Sequence, residues 1–255
     1  MLLFLRSLLY TAILFASVIP HSLWVLLARP FGYHAAYRSP YWWGRLNLWA
    51  LRVICGIDYR VEGAEHIPRD RALICYMKHT SAWETIAQVV LFPPQAWVHK
   101  HELMWIPLMG WALWSLDSIH IDRNAGHNAV RQVVDQGKEK LAAGHWVMIF
   151  PEGTRMPPGT TRRYGISGAL LARETGTPIL PMAHNAGDHW QRNALMKRPG
   201  TVTVRIGKPI EPRGRSAVDI NDEAQAWIEA QMKELSPGYA GVMLDRKSGG
   251  AISQD

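Results

Sequence analysis

The first 57 residues contain no aspartate and no glutamate, although five arginines (Arg6, Arg29, Arg38, Arg45 and Arg52) are spread along them. The whole chain of 255 residues carries a formal net charge of +7. Residues 58–255 hold 23 basic against 21 acidic side chains, so the positive excess is concentrated at the amino-terminal end. A basic, acid-free, tryptophan-bearing end suits an anionic lipid surface. It does not suit a nucleic-acid groove, because no zinc, helix-turn-helix or RNA-binding signature accompanies it. Cysteine is scarce too. Cys55 and Cys75 lie in apolar runs and offer neither a disulfide framework nor a metal cluster, so they read as buried thiols in a reducing compartment. Long hydrophobic runs are also missing: the uninterrupted stretch 7–19 is shorter than the roughly 20 residues a spanning helix wants. With 48% hydrophobic and 19% charged residues the chain is apolar for a soluble enzyme but not polytopic. It has no internal repeat and no low-complexity segment.

Within residues 1–57 the pattern predicts a two-helix membrane anchor. Residues 2–28 are mostly apolar, interrupted by Arg6 and by Pro20-His21, and either cross a bilayer with a kink or enter one leaflet and turn back. A secretory signal competes with this reading, but Arg6 stands alone ahead of the apolar run and no small-x-small cleavage site follows. The second helix spans 37–55. At about 100° per residue, Arg38, Arg45 and Arg52 fall on one narrow stripe of an otherwise aromatic and aliphatic cylinder, with Trp and Tyr suited to the headgroup level. An ordinary buried helix with snorkelling arginines is the alternative.

From residue 58 the pattern alternates. Strands are predicted over 59–62, 72–76, 96–99, 119–122, 146–150, 179–183 and 202–206, and helices over 83–91, 103–116, 128–142, 167–175 and 222–235. That alternation predicts an α/β domain over 58–235 with a mixed, largely parallel sheet flanked by helices. Residues 236–255 lack periodicity and read as a loose tail. The stretch 104–116, with Trp105, Trp111 and Trp114, reads as core with partial membrane contact, or as the lining of a slot for an acyl chain.

Three short constellations fall at strand ends, where such folds place their chemistry. In Lys78-His79-Thr80-Ser81-Ala82-Trp83-Glu84 a histidine is followed five residues later by a carboxylate in the first helical turns. An imidazole–carboxylate pair of this kind fixes the tautomer and leaves the other ring nitrogen free to take a proton, though most such pairs are structural or solvated. In Phe150-Pro151-Glu152-Gly153-Thr154-Arg155, Gly153 permits a turn closed to other residues, while Thr154 and Arg155 offer a hydroxyl and a planar fork suited to phosphate. Arg123 ends the strand Ile119-His120-Ile121-Asp122 within reach of the same phosphate, and Lys100, before the next helix, is a further phosphate candidate. Cys75 alternates within an apolar strand and Ser81 lacks a Gly-x-Ser-x-Gly elbow, so neither reads as a nucleophile.

In order and spacing, His79-x4-acid, Arg123 after Ile-x-Ile-Asp, the 150–155 block and Ile179-Leu180-Pro181 resemble the glycerophospholipid acyltransferases over roughly residues 58–210, and most of all the bacterial 1-acyl-glycerol-3-phosphate acyltransferases. The resemblance implies transfer of an acyl group from a thioester of coenzyme A or acyl carrier protein to the sn-2 hydroxyl of lysophosphatidate, giving phosphatidate. It implies His79 as general base without a covalent acyl-enzyme and Glu84 as the residue orienting it. Lys100, Arg123 and the 152–155 block (Glu152, Gly153, Thr154, Arg155) are implied to grip the substrate. No metal and no organic cofactor is implied. The partners are membrane lipid and the two substrates, and the place is the cytoplasmic face of the inner membrane. Two positions depart from the family's usual pattern: Glu84 stands for Asp and Lys78 for Asn. A His-x4-Glu motif also occurs in lipid A acyltransferases, which keeps another lysolipid acceptor open, and the 150–155 block argues against that branch. A lipid hydrolase using His79–Glu84 to activate water, and a non-catalytic scaffold, are the remaining readings.

Overall fold

The computed structural model describes residues 1–122 and 125–244. Helix α1 (Leu2–Ala28) and a 3₁₀ turn (Arg29–Phe31) lead into α2 (Tyr33–Ala50), which continues as a π turn (Leu51–Cys55) and ends at Gly56 in the left-handed region, φ 69°. The domain proper then runs β1 (Ile57–Glu62), β2 (Ile74–Met77), α3 (Trp83–Leu91), β3 (Gln95–Lys100), α4 (Met109–Ser115), β4 (Ile119–Ile121), α5 (His127–Ala142) and β5 (Trp146–Ile149). It continues with β6 (Thr160–Thr161), α6 (Ser167–Thr175), β7 (Ile179–His184), α7 (Ala186–His189), β8 (Gly200–Ile206), α8 (Ala217–Leu235) and β9 (Val242–Met243).

Seven strands form one sheet in the order β1-β8-β7-β2-β5-β3-β4, parallel at every junction except β7–β8. Strands β2, β5 and β7 are buried along their whole lengths, as strands covered by helices on both faces must be. Their side chains alternate between two cores. Cys75, Met77, Met148, Leu180 and Met182 face a core that includes Tyr10 of α1, Leu48 of α2 and Trp83 and Ile86 of α3. Ile74, Tyr76, Val147, Ile149 and Ile179 face the opposite core, with residues of α5, α6 and α8. The sheet is therefore the middle of three layers. Because β2, β5, β7 and β3 run parallel, their carboxyl ends line one edge, and the His79 and 150–155 constellations and Lys100 follow those ends.

Three expectations are corrected here. The predicted helix over 103–116 is a hairpin: a 3₁₀ segment (His101–Trp105) turns at Ile106-Pro107-Leu108 into α4. Pro107 has no N–H to continue a helix, Leu108 takes φ 62°, and the Met109 N–H bonds back to the Pro107 carbonyl at 2.7 Å in a γ-turn. The close approach across the turn needs Gly110, whose place would put a Cβ 2.3 Å from the Met104 carbonyl oxygen. The second anchor helix is a domain helix along one side: Tyr37, Ser39, Pro40, Gly44 and Leu48 of α2 are buried, and Gly44 lies against Val89 and Val90 of α3. Its opposite side leaves Arg38, Arg45, Arg52, Trp42 and Trp49 exposed. The tail is not loose where described, because β9 pairs in parallel with β6 and the Tyr239 ring is buried.

Candidate active site

Glu84 closes the amino-terminal turn of α3. Its Oε1 accepts the backbone N–H groups of Thr80 at 2.9 Å and Ser81 at 2.8 Å, while Ser81 Oγ accepts the Trp83 N–H at 3.1 Å. Between them the Ser81 hydroxyl and the Glu84 carboxylate satisfy amides around the helix start that would otherwise lack partners. The same Oε1 lies 2.8 Å from His79 Nδ1, so the longer side chain at this position still reaches the ring. With an ionised carboxylate as acceptor, Nδ1 carries the proton and Nε2 keeps its lone pair. The ring stacks on Phe150 with centroids 4.0 Å apart and planes inclined by 17°, and its side chain is 13% exposed.

Two shifts follow from this packing. Burial lowers the His79 pKa below the ordinary histidine value, the Glu84 contact opposes the shift, and the Arg155 charge adds to it. Burial alone would raise the Glu84 pKa, but the neighbouring His184, the His79 hydrogen bond and the Ser81 N–H outweigh it and hold Glu84 below the usual carboxylate range. His184 is a site residue that the sequence reading did not single out. It ends β7, is fully buried, and stands 3.9 Å from Glu84 Oε2. Its Nε2 bonds the Lys78 carbonyl at 2.8 Å and its Nδ1 accepts the Ala186 N–H at 3.3 Å, which defines a neutral tautomer. A histidine ending the strand next to the one that carries His79 was the available signal.

The 150–156 loop wraps the same edge. Gly153 turns at φ 73°, with its N–H on the Phe150 carbonyl at 2.9 Å, and Thr154 is half-buried beside it. The Met156 N–H bonds the His79 carbonyl at 2.7 Å. Arg155 Nε is buried without a hydrogen-bond partner among the described residues, and Arg192 donates to the Arg155 carbonyl at 2.9 Å. The Glu152 carboxylate, expected at the substrate, is turned inward. It has no exposure and lies 2.6 Å from the Lys78 ammonium, while its Oε2 accepts the His79 N–H at 2.8 Å. Lys100 is exposed at the carboxyl end of β3, on the same edge of the sheet. Arg123 lies outside the described residues.

Phe150 and Arg155 also line a cavity of about 350 Å³. Its other walls come from α1, α2, α3 and the 101–116 hairpin, including Val18, Trp43, Val89 and Leu113. The hole is mostly apolar, with the histidine's stacking partner Phe150 and the Arg155 side chain in its wall, and its volume falls in the range of small-ligand sites, about 300–1,000 Å³. Among the described residues no cluster of three or more His, Cys, Asp or Glu is placed to hold a metal ion.

A three-layered α/β domain with a histidine–carboxylate pair at the strand ends, beside an arginine-bearing loop and an apolar cavity, has the parts of a general-base transferase or hydrolase site. The sequence profile of the Acyltransferase family matches residues 58–185, and the chain belongs to that family. It is 42% identical over 198 residues to a 1-acyl-sn-glycerol-3-phosphate acyltransferase of Pseudomonas aeruginosa, an alignment covering 76% of this chain and 77% of that one. It is 26% identical over 208 residues to a human 1-acyl-sn-glycerol-3-phosphate acyltransferase alpha, covering 81% of this chain and 72% of that one. In fold it matches the crystal structure of PlsC, the 1-acyl-sn-glycerophosphate acyltransferase of Thermotoga maritima, with a TM-score of 0.75 at 24% identity over 90% of this chain and 94% of that one.

Proposed function

We propose that the protein transfers a fatty acyl group from a thioester of coenzyme A or acyl carrier protein to the sn-2 hydroxyl of lysophosphatidate, with His79 as general base. The observation that carries the reading is the His79–Glu84 pair beside the Arg155 charge, next to an apolar cavity with Arg155 and Phe150 in its wall. His79 Nε2 takes the hydroxyl proton as the substrate oxygen attacks the thioester carbonyl. Glu84 stabilises the imidazolium that forms, which then returns its proton to the departing thiolate as the tetrahedral adduct collapses. The nucleophile is the substrate's own oxygen, so no acyl-enzyme intervenes, and the step runs on the chain's own side chains without metal or organic cofactor. Arg155, Arg123 and Lys100 bind the glycerol phosphate, Gly153 and Thr154 shape the turn that presents Arg155, and the cavity takes the acyl chain. Holding both substrates against the base away from water is what makes the step fast and keeps hydrolysis out.

Membrane attachment belongs to the same reading. Helix α1 points polar side chains inward, with Ser7, Tyr10 and Ser22 buried. Ser7 Oγ accepts the Lys197 N–H at 2.9 Å and Thr11 Oγ1 binds the Lys197 ammonium at 2.7 Å. Leu5, Leu9, Phe15, Ile19 and Leu27 face out. A helix polar toward its own domain and apolar toward the outside suits solvation by lipid, and we place it at the cytoplasmic face of the inner membrane.

Incubation of the purified protein with lysophosphatidate and an acyl thioester should yield phosphatidate, and His79→Ala should lower the rate by roughly 10²–10⁴-fold or more. Near-native turnover in His79→Ala removes the histidine from the mechanism, and release of free fatty acid in place of phosphatidate makes the enzyme a hydrolase.

A further inference from the structure

Lys78 stands where the resembled family usually carries asparagine, and its side chain has no exposure to solvent. The ammonium lies 2.6 Å from Glu152 Oε1 and 2.9 Å from Glu229 Oε1. It also donates to the Tyr239 hydroxyl at 2.8 Å and to the Thr160 carbonyl at 3.4 Å. These partners come from the turn after β5, from α8, from the segment beyond α8 and from β6. Toward the dyad, Glu152 Oε2 accepts the His79 N–H at 2.8 Å and the His79 carbonyl accepts the Met156 N–H at 2.7 Å. The backbone of His79 is thus gripped on both sides by the loop that carries Arg155. Away from the dyad, Glu229 Oε1 also accepts the hydroxyls of Thr161 at 2.8 Å and Tyr164 at 2.9 Å, and Tyr239 donates to its Oε2.

The chemistry of Glu152 explains why a cation is needed here. A carboxylate with no exposure ionises only at high cost unless an opposite charge stands beside it. Burial pushes Glu152 up to about 7 even against the pull of Lys78. Burial also works against the ammonium, but Glu152 and Glu229 outweigh it and keep Lys78 charged. A neutral residue at 78 leaves Glu152 without a countercharge. The carboxyl then takes up a proton and becomes a weaker acceptor for the His79 N–H, because hydrogen bonds to an ionised group are roughly twice as strong as neutral ones.

We propose that Lys78 is a positioning residue: its ammonium ties Glu152, and through it the backbone of His79, to Glu229 and Tyr239, so that acyl transfer depends on the carboxy-terminal segment 236–244. The inference rests on His79 being the base. Its signature is a fall in kcat, because a displaced base slows the chemical step while the contacts that bind the phosphate and the chain stay in place. A network that served stability alone moves the melting temperature and leaves kcat untouched.

The test compares the full-length enzyme with Lys78→Met, with Lys78→Met/Glu152→Gln and with Tyr239→Phe, measuring kcat, KM and amide exchange of the peptide that contains His79. Lys78→Met should lower kcat on the order of 10²-fold with KM values within about threefold, and speed exchange at His79. Glutamine at 152 keeps an acceptor for the His79 N–H and needs no countercharge, so the double variant should regain about tenfold in kcat and slow the exchange again. Tyr239→Phe removes one hydroxyl and no charge, and should lower kcat by about three- to tenfold. Native kcat and native exchange in Lys78→Met, or a double variant no better than the single one, overturn the proposal. Where Lys78→Met does not fold, the double variant decides, and fast exchange at His79 in a folded double variant overturns it. Tyr239→Phe with unchanged kcat and exchange overturns the dependence on the carboxy-terminal segment. Exchange is read without turnover, so a wild-type protein that transfers no acyl group fails the functional reading separately.

Discussion

At the scale of single residues, the dyad's strength lies in how much one oxygen is asked to do. Glu84 Oε1 holds two backbone amides and the histidine ring at once, so the helix start and the tautomer of the base are fixed together. Glu84→Gln keeps an oxygen that can accept those bonds but removes the charge that stabilises the imidazolium. Turnover should fall by roughly 10²–10⁴-fold with the fold intact, as read by steady-state kinetics beside circular dichroism. Arg155 acts on the same ring by charge. With His79 as the proposed base the neutral imidazole is the active form, and burial and Arg155 both lower its pKa, so the acidic limb of kcat/KM should lie below the ordinary histidine value of about 6.5. Arg155→Gln removes one of the lowering influences and should move that limb upward in pH. It should also raise KM for lysophosphatidate by roughly 10- to 100-fold, since a charge-assisted hydrogen bond contributes about 1.5–3 kcal/mol. A limb that stays in place while KM rises separates the two roles.

At the scale of elements, α3 carries Glu84 and is itself positioned by α2. A Cβ at Gly44 would lie 2.6 Å from Val89 Cγ2 and 2.8 Å from Val90 Cγ2. Gly44→Ala should therefore cost about 1–3 kcal/mol by overpacking, seen as a lowered melting temperature, and the strain falls on the helix that holds the dyad. The same contact explains a limit of the sequence. Strands β2, β5 and β7 were legible because continuous apolar runs bounded by polar turns have few other readings, and the motifs at their ends came with them. Helix α2 was legible as a helix and not by its surroundings: periodicity reports an apolar face, and Leu48 against the core and Trp49 facing outward are the same signal. The hairpin break at Pro107 was announced by proline itself. The role of Tyr239 had no local signal, because its partner Lys78 lies 161 residues away in the chain. Glu152 was found by its motif but not by its orientation, since a carboxylate in such a turn reads the same from sequence whether it faces outward or the interior.

At the scale of the whole molecule, most of the large exposed apolar side chains lie on α1, α2 and the 101–116 hairpin. Among the described residues, Leu2–Phe31 is the segment long and apolar enough to cross a bilayer, and its 27-residue α-helix is about 40 Å long at 1.5 Å per residue. Leu26 of this helix shares a surface hollow with Met104, Trp111 and Trp114 of the 101–116 hairpin. Trp105, Trp111 and Trp114 are 77%, 55% and 69% exposed, and their rings suit the headgroup level beside a lipid-facing helix. The inner side of the hairpin, at Leu103, Met109 and Leu113, lines the apolar cavity. If the cavity takes the acyl chain as proposed, this one short element joins it to the exposed tryptophans, and a chain entering from a bilayer would pass little water on the way. Replacing all three tryptophans by serine removes contacts of roughly 1 kcal/mol each and leaves α1 as the anchor, so the protein should stay with the membrane fraction. What should change is access: the apparent KM for long-chain lysophosphatidate held in vesicles should rise by on the order of tenfold or more, a difference of about 1.4 kcal/mol per decade. A short-chain acceptor dispersed below its micelle concentration needs no bilayer contact and should be turned over at the native rate. Equal losses on both acceptors would mean that the tryptophans support the hairpin's fold, and loss of the triple variant from the membrane would mean that the hairpin, rather than α1, carries the attachment.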